Sequence, residues 1–187
     1  MAAQLLDGKA MSAELREELA LRVQRLKGKG VTPGLAVILV GDDPASQIYV
    51  KNKELGCQQV NIHSVTIRLP ETASQAELEA QIDKLNADAS IHGILVQLPL
   101  PQGLDEAAAL ARILPEKDVD AFHPSNVGRI MIGNFHFLPC TPAGIIELLR
   151  SQDIEIQGKE CVVIGRSNIV GKPMAMLLLH NNGTVMI

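Results

Sequence analysis

Between Met11 and Leu26 apolar side chains recur every three or four positions (Met11, Leu15, Leu19, Val23, Leu26). That spacing lines one face of an α-helix. Gly28 and Gly30 follow as stop signals. The segment Gly34-Leu-Ala-Val-Ile-Leu-Val40 is a continuous apolar run with β-branched residues, which predicts a strand covered on both faces. It stops at Gly41, and Asp43-Pro44 reads as the N-cap and first residue of a helix reaching about Gln58. The alternation then repeats. Ile62 to Leu69 reads as a strand, and Ser74 with Glu77 forms a capping box ahead of an inward stripe of Leu78, Ile82 and Leu85. His92 to Leu98 is a third strand and Asp105 to Ile113 a short helix. Strand-helix alternation of this kind predicts right-handed crossovers and a mostly parallel sheet.

From Leu114 to Leu138 the rhythm breaks into a loop-rich stretch holding Pro115, Pro124, Gly128 and Gly133. Loops of that length are usually functional or linkers. Thr141-Pro142 opens a helix through Arg150, and a second α/β unit follows: strand Glu160 to Ile164, glycine turn, helix Gly171 to His180, strand Thr184 to Ile187. The expected fold class is α/β with two domains. Residues 1–138 form an N-terminal α/β domain with a mostly parallel sheet, and residues 139–187 an incomplete Rossmann-type dinucleotide-binding domain.

Composition narrows the function classes. With 47% hydrophobic and 20% charged residues among 187, the chain fits an ordinary soluble globular protein. No apolar run approaches the ~18 residues that span a bilayer, and the N-terminus lacks a basic start followed by an apolar stretch. No membrane partner is expected. Net charge is −4 without a basic tract, which argues against nucleic acid as a partner but leaves anionic small ligands open. Cys57, Cys140 and Cys161 lie far apart and the five histidines are scattered, so neither a disulfide frame nor a metal site is expected. A reducing, cytoplasmic compartment suits that cysteine usage. There is no Trp, one Tyr and three Phe. The core must be aliphatic, and the single Tyr49 invites a separate explanation.

Tyr49 and Lys53 are four apart on the second helix and share a face. A solvated lysine beside a half-buried tyrosine is the plain reading. The other is a site, because this helix begins at the carboxyl end of a buried parallel strand, where ligands of open α/β sheets bind, and a lysine beside an apolar pocket can exchange protons. Gln97 ends the third strand within Gly93-Ile-Leu-Val-Gln-Leu-Pro-Leu-Pro101. It either caps loop backbone or presents a neutral amide to Lys53. Asp118 and Asp120 fall in the loop-rich stretch. They serve either as turn residues or, for Asp120, as an acceptor for a ligand's N–H groups; His123 before Pro124 reads as structural. Gly165-Arg166-Ser167-Asn168-Ile169-Val170-Gly171 lies between a strand and a helix. It departs from the G-x-G-x-x-G fingerprint, yet its helix start could bind pyrophosphate and Arg166 a 2′-phosphate.

Five segments in order then resemble the bifunctional methylenetetrahydrofolate dehydrogenase/methenyltetrahydrofolate cyclohydrolase family. They are Pro44-Ala-Ser-Gln-Ile-Tyr-Val-Lys-Asn-Lys53, Gly93 to Pro101, Lys117-Asp-Val-Asp-Ala-Phe-His-Pro124, Pro139-Cys-Thr-Pro-Ala-Gly144 and Val163 to Pro173. The resemblance implies NADP-dependent oxidation of 5,10-methylenetetrahydrofolate and hydrolysis of the product to 10-formyltetrahydrofolate, by a homodimer. It implies Lys53 as catalytic acid/base, Tyr49 along the folate, Gln97 as partner of the lysine, flanked by Val96 and Leu98 at the substrate, and Asp120 on the pterin. Gly165, Arg166 and Ser167, with Thr141, fall on the NADP side. Two departures stand out. The family usually has glycine where Ala121 stands; if that backbone needs a positive φ, alanine is strained by roughly 1 kcal/mol. Family members also continue well past this length, so the chain reads as C-terminally truncated, and a fragment that binds folate without dehydrogenase activity is the competing expectation. An amino-acid dehydrogenase of similar architecture fits less well, since such enzymes use other lysine contexts.

Overall fold

The computed structural model describes residues 5–187. Its contacts divide into two compact units, one over Leu15–Val119 and the other over Asp120–Ile187 together with the N-terminal stretch through Glu14.

The first unit is built on a three-stranded parallel sheet of β1 (Gly34–Val40), β2 (His63–Leu69) and β3 (Gly93–Val96), ordered β2-β1-β3. Central β1 pairs Gly34 with His63 through Val40 with Leu69 on one side, and Leu35 with Gly93 through Ile38 with Val96 on the other. Successive β1 side chains point to opposite faces, and both faces are covered. Ala36, Ile38 and Val40 join Leu78, Ile82, Ile94, Val96 and Ile113 in one core cluster, while Val37 and Leu39 pack with Val50 and Leu95 in another. That is the physical reason β1 shows no polar alternation.

The helices of this unit follow from local chemistry. In α2 (Pro44–Gln59) the Asp43 carboxylate accepts from the Ser46 N–H at 2.7 Å and proline takes the first position. The same backbone hydrogen bond holds the Asp43 carboxyl below the usual carboxylate range. α3 (Gln75–Ala87) carries the full Ser74/Glu77 capping box and buries Leu78, Ile82 and Leu85. Its far end is closed by Lys117, whose ammonium donates to the carbonyls of Leu85, Asn86 and Asp88 at 2.8–3.0 Å. α4 (Glu106–Arg112) is capped by Asp105. α1 (Gly8–Lys27) starts before the first residue of its apolar stripe, and of its residues only Val23 is buried. Leu15, Leu19 and Leu26 stay exposed, so the amphipathic spacing is there without the burial it promised.

The second unit holds α5 (Pro124–Met131), α6 (Cys140–Arg150), β4 (Glu160–Val162), α7 (Gly171–His180) and β5 (Thr184–Met186), with β4 and β5 paired in parallel. Ile146, Met174, Leu177 and Leu178 form its buried cluster, with Cys161, Val163 and Val185 packed against it. The loop-rich reading of 114–138 is corrected by α5: His123 Nδ1 accepts from the Ser125 N–H at 3.0 Å and Pro124 sits at the first turn. A histidine N-cap is an uncommon start signal, and the eight-residue helix is too short to show a period.

Candidate active site

β3 and α2 bring the first pair of side chains together. Leu95 packs on the α2 side of the sheet with Val50. Strand parity then turns Val96 to the other face and Gln97 back toward α2. Although β3 formally ends at Val96, the Gln97 N–H still bonds to the Ile38 carbonyl at 2.9 Å, so the parity holds through that residue. The outcome is direct: Lys53 Nζ donates to Gln97 Oε1 at 3.0 Å. The amide orientation is fixed from the other side, since Gln97 Nε2 donates to the Leu98 carbonyl at 2.7 Å. A carbonyl can only accept, so the amide NH₂ must face it, leaving the amide oxygen for the lysine. A neutral acceptor orients the ammonium without locking it into an ion pair.

Tyr49 stands one turn before Lys53 on α2 and is 62% exposed, so a flat apolar ring with a polar tip is available to a ligand. Leu98 is half-buried, but the Val96 side chain is buried in the core cluster with Leu78 and Ile82. Any contact of Val96 with a ligand would therefore be through its backbone.

Asp120 opens the second unit. It is half-buried, and the Cys140 thiol at the start of α6 reaches Oδ1 at 3.7 Å. The next residue, Ala121, has φ +56° and is buried. The left-handed backbone that the sequence raised as a condition is therefore present, with a cost of roughly 1 kcal/mol for a residue carrying Cβ.

The loop from Gly165 to Gly171 folds tightly on itself. A Cβ on Gly171 would lie 2.2 Å from the Gly165 carbonyl oxygen, and Gly165 has φ +136°. These two glycines let the strand end approach the first turn of α7. Ser167 Oγ accepts from the Val170 and Gly171 N–H groups at 3.1 and 3.2 Å. A phosphate binding at this helix start would exchange with that hydroxyl for the same donors. Arg166 and Thr141 are exposed, and Arg166 has no ion pair with any described residue. Among the described residues no group of three or more His, Cys, Asp or Glu is arranged to hold a metal ion, and no helix is long and apolar enough to cross a membrane.

Sequence reading missed the surroundings of Lys53. Its neighbour Glu54 turns to β2, where Thr66 Oγ1 donates to Oε1 at 2.5 Å and Arg68 lies 3.9 Å away. Only the register of β2 against the helix reveals that pairing.

The profile of the tetrahydrofolate dehydrogenase/cyclohydrolase catalytic domain matches residues 6–120, and that of the family's NAD(P)-binding domain matches residues 139–187. The chain belongs to the tetrahydrofolate dehydrogenase/cyclohydrolase family. Bifunctional protein FolD of Halalkalibacterium halodurans is 56% identical over 185 residues, covering 99% of this chain and 66% of that relative. The solved bifunctional FolD methylenetetrahydrofolate dehydrogenase/cyclohydrolase of Campylobacter jejuni superposes with a TM-score of 0.96 at 52% identity, covering 99% of this chain and 66% of the other. The Trypanosoma brucei dehydrogenase-cyclohydrolase, solved with NADP cofactor and an inhibitor, gives a TM-score of 0.95 at 39% identity, with 100% and 64% covered. The chain thus spans just under two-thirds of the length of these family members.

Proposed function

We propose that this chain carries the chemistry of one-carbon folate interconversion: NADP-dependent oxidation of 5,10-methylenetetrahydrofolate to the methenyl compound and hydrolysis of that product to 10-formyltetrahydrofolate. The observation that carries the proposal is the Lys53–Gln97 hydrogen bond at the tip of β3, beside an exposed tyrosine on the same helix. In this reading Lys53 moves protons at the one-carbon bridge, and Gln97 holds its ammonium with a neutral amide. Tyr49 positions the folate, Leu98 and the Val96 backbone flank it, and Asp120 accepts N–H groups of the pterin. NADP, when bound, supplies the hydride acceptor. The close Gly165–Gly171 approach leaves no room for a Cβ at Gly171, and the Val170 and Gly171 N–H groups that Ser167 Oγ now occupies are donors a phosphate could take, which fits such a group. Arg166, Ser167 and Thr141 would meet its phosphate side. We keep residues 1–138 as the folate domain and 139–187 as the dinucleotide portion, in a cytoplasmic homodimer that serves, among other pathways, purine synthesis.

A second reading, folate binding without hydride transfer, draws on the β4–β5 pair. Val162 and Met186 lie on its open face, whereas parallel sheets are ordinarily covered on both sides. One assay separates the two. Mixing the chain with methylenetetrahydrofolate and NADP and following NADPH absorbance should give turnover on the first reading; folate binding without absorbance change would select the second. Lys53→Ala should lower methenyl hydrolysis by about 10²- to 10⁴-fold with the fold intact. Near-normal hydrolysis by that variant would remove Lys53 from the mechanism.

A further inference from the structure

We infer that Glu54 is a positioning residue for Lys53, acting through its hydrogen bond to Thr66; the catalytic value of this rests on the reading of Lys53 given above. α2 is seated on the sheet by a thin apolar contact, with Ser46, Val50 and Cys57 its only buried residues. Val50 packs against Val37, Leu39 and Leu95. At about 100° per residue, Lys53 lies some 60° to one side of the Val50 line and Glu54 some 40° to the other. The two consecutive side chains therefore straddle the seat. The strand order β2-β1-β3 places their partners accordingly: Lys53 reaches Gln97 beyond β3, and Glu54 reaches Thr66 and Arg68 on β2. With so little apolar burial, rotation of α2 about its axis is resisted mainly by these two polar tethers. Because they straddle the seat, a roll that lengthened one would shorten the other, so the two together set the rotation of the helix and loss of either one frees it.

The next rung is weaker. Cys57, three residues on, faces the Ser64 hydroxyl on β2; burial pushes the Cys57 thiol up, and the hydroxyl works against that shift. The approach is too loose to count as a hydrogen bond, and Ser64 Oγ is buried without a firm partner. The firm side-chain hydrogen bond on that side is the one from Thr66 to Glu54, with Arg68 3.9 Å from the same carboxylate. Glu54 is also drawn away from Lys53 by its β2 partners, which leaves the neutral amide as the lysine's acceptor.

The test reads the reactivity of Lys53 directly and needs no folate. The full chain is treated with limiting acetic anhydride, and acetylation of Lys53 is measured by mass spectrometry relative to Lys51, an exposed lysine on the same helix. Thr66→Val and Glu54→Ala should each raise the Lys53/Lys51 ratio about threefold or more, a modest part of what a hydrogen bond to a charged group is worth. Glu54→Gln keeps an acceptor for Thr66 and should stay near the parent ratio. An unchanged ratio in Thr66→Val and Glu54→Ala overturns the inference. So does a rise in Glu54→Gln equal to that in Glu54→Ala, or a parallel rise of Lys51 and Lys53 that marks general loosening. If Lys53→Ala retained full hydrolysis while the labelling came out as expected, the functional reading would fail and the tether would stand.

Discussion

The two units of this chain use the same parallel βα grammar with unequal burial. In the first, every residue of β3 is buried and β1 is buried at all but one position. In the second, β4 and β5 each show exposed, intermediate, exposed, with Val162 66% and Met186 68% exposed, and Ile164 just beyond β4 99% exposed. The alternation that signals a half-covered sheet is thus present, but its outer row mixes polar Glu160 and Thr184 with apolar Val162 and Met186. A sheet gains its stability from the faces laid against it, and the same strand chemistry is worth far less where one face is bare.

The sharpest way to test that contrast is to truncate one residue on each sheet. Ile38→Ala, at a site with no exposure, should cost about 2–5 kcal/mol, while Val162→Ala should stay within about 0.5 kcal/mol; denaturant unfolding measures both. Glycine substitution should reverse the ranking. Gly171→Ala meets backbone at 2.2 Å, whereas Gly93→Ala meets the Val119 side-chain tip at 2.5 Å, which can shift. We expect Gly171→Ala to cost about 1–3 kcal/mol and Gly93→Ala less, by thermal unfolding. Equal costs would mean the loop is softer than its geometry indicates.

A smaller effect is expected at the first turn of the second unit. Ala121→Gly removes the left-handed strain but adds freedom to the unfolded chain, for a net gain between zero and about 1 kcal/mol, read as a raised midpoint in urea. The slightest response per group is to acid. Hydrogen bonds from the Ser46 backbone, the Ser74 backbone, Arg112 and Ser90 hold the carboxyls of Asp43, Glu77, Asp83 and Asp88 below their ordinary values. A depressed folded-state value stabilises above the unfolded one and is lost as pH falls through the folded value. The melting temperature of the first unit should therefore drop as pH is lowered from about 6 to about 3. Asp83→Asn should flatten that drop by removing the pair with Arg112.

Much of the fold was legible because local chemistry and tertiary outcome agree. The apolar run Gly34–Val40 is β1 to the residue, Asp43-Pro44 starts α2, and Ser74 with Glu77 starts α3. What failed to show depends on distance along the chain. α1 has its stripe, but no spacing rule states what lies over Leu15 and Leu19. α5 escaped because a histidine serves as its cap. At the candidate site, the Lys53–Gln97 pairing could be raised from strand ends, and parity made it definite. The same parity turns the Val96 side chain away from Gln97 and into the core, which its place in an all-apolar run does not announce. Glu54 was invisible, since its partners on β2 are fixed only by register.

The closure of α3 by Lys117 has a consequence for biosynthesis. The three carbonyls it satisfies lie 29 to 32 residues upstream, and the Ile94 N–H donates to the Lys117 carbonyl at 2.7 Å. A nascent chain leaving the ribosome therefore holds α3 with its last turn unfinished, and β3 with an open rim, until this one lysine emerges. Translation pausing ahead of that codon would lengthen the exposure of both, making residue 117 the point at which the first half of the molecule can close.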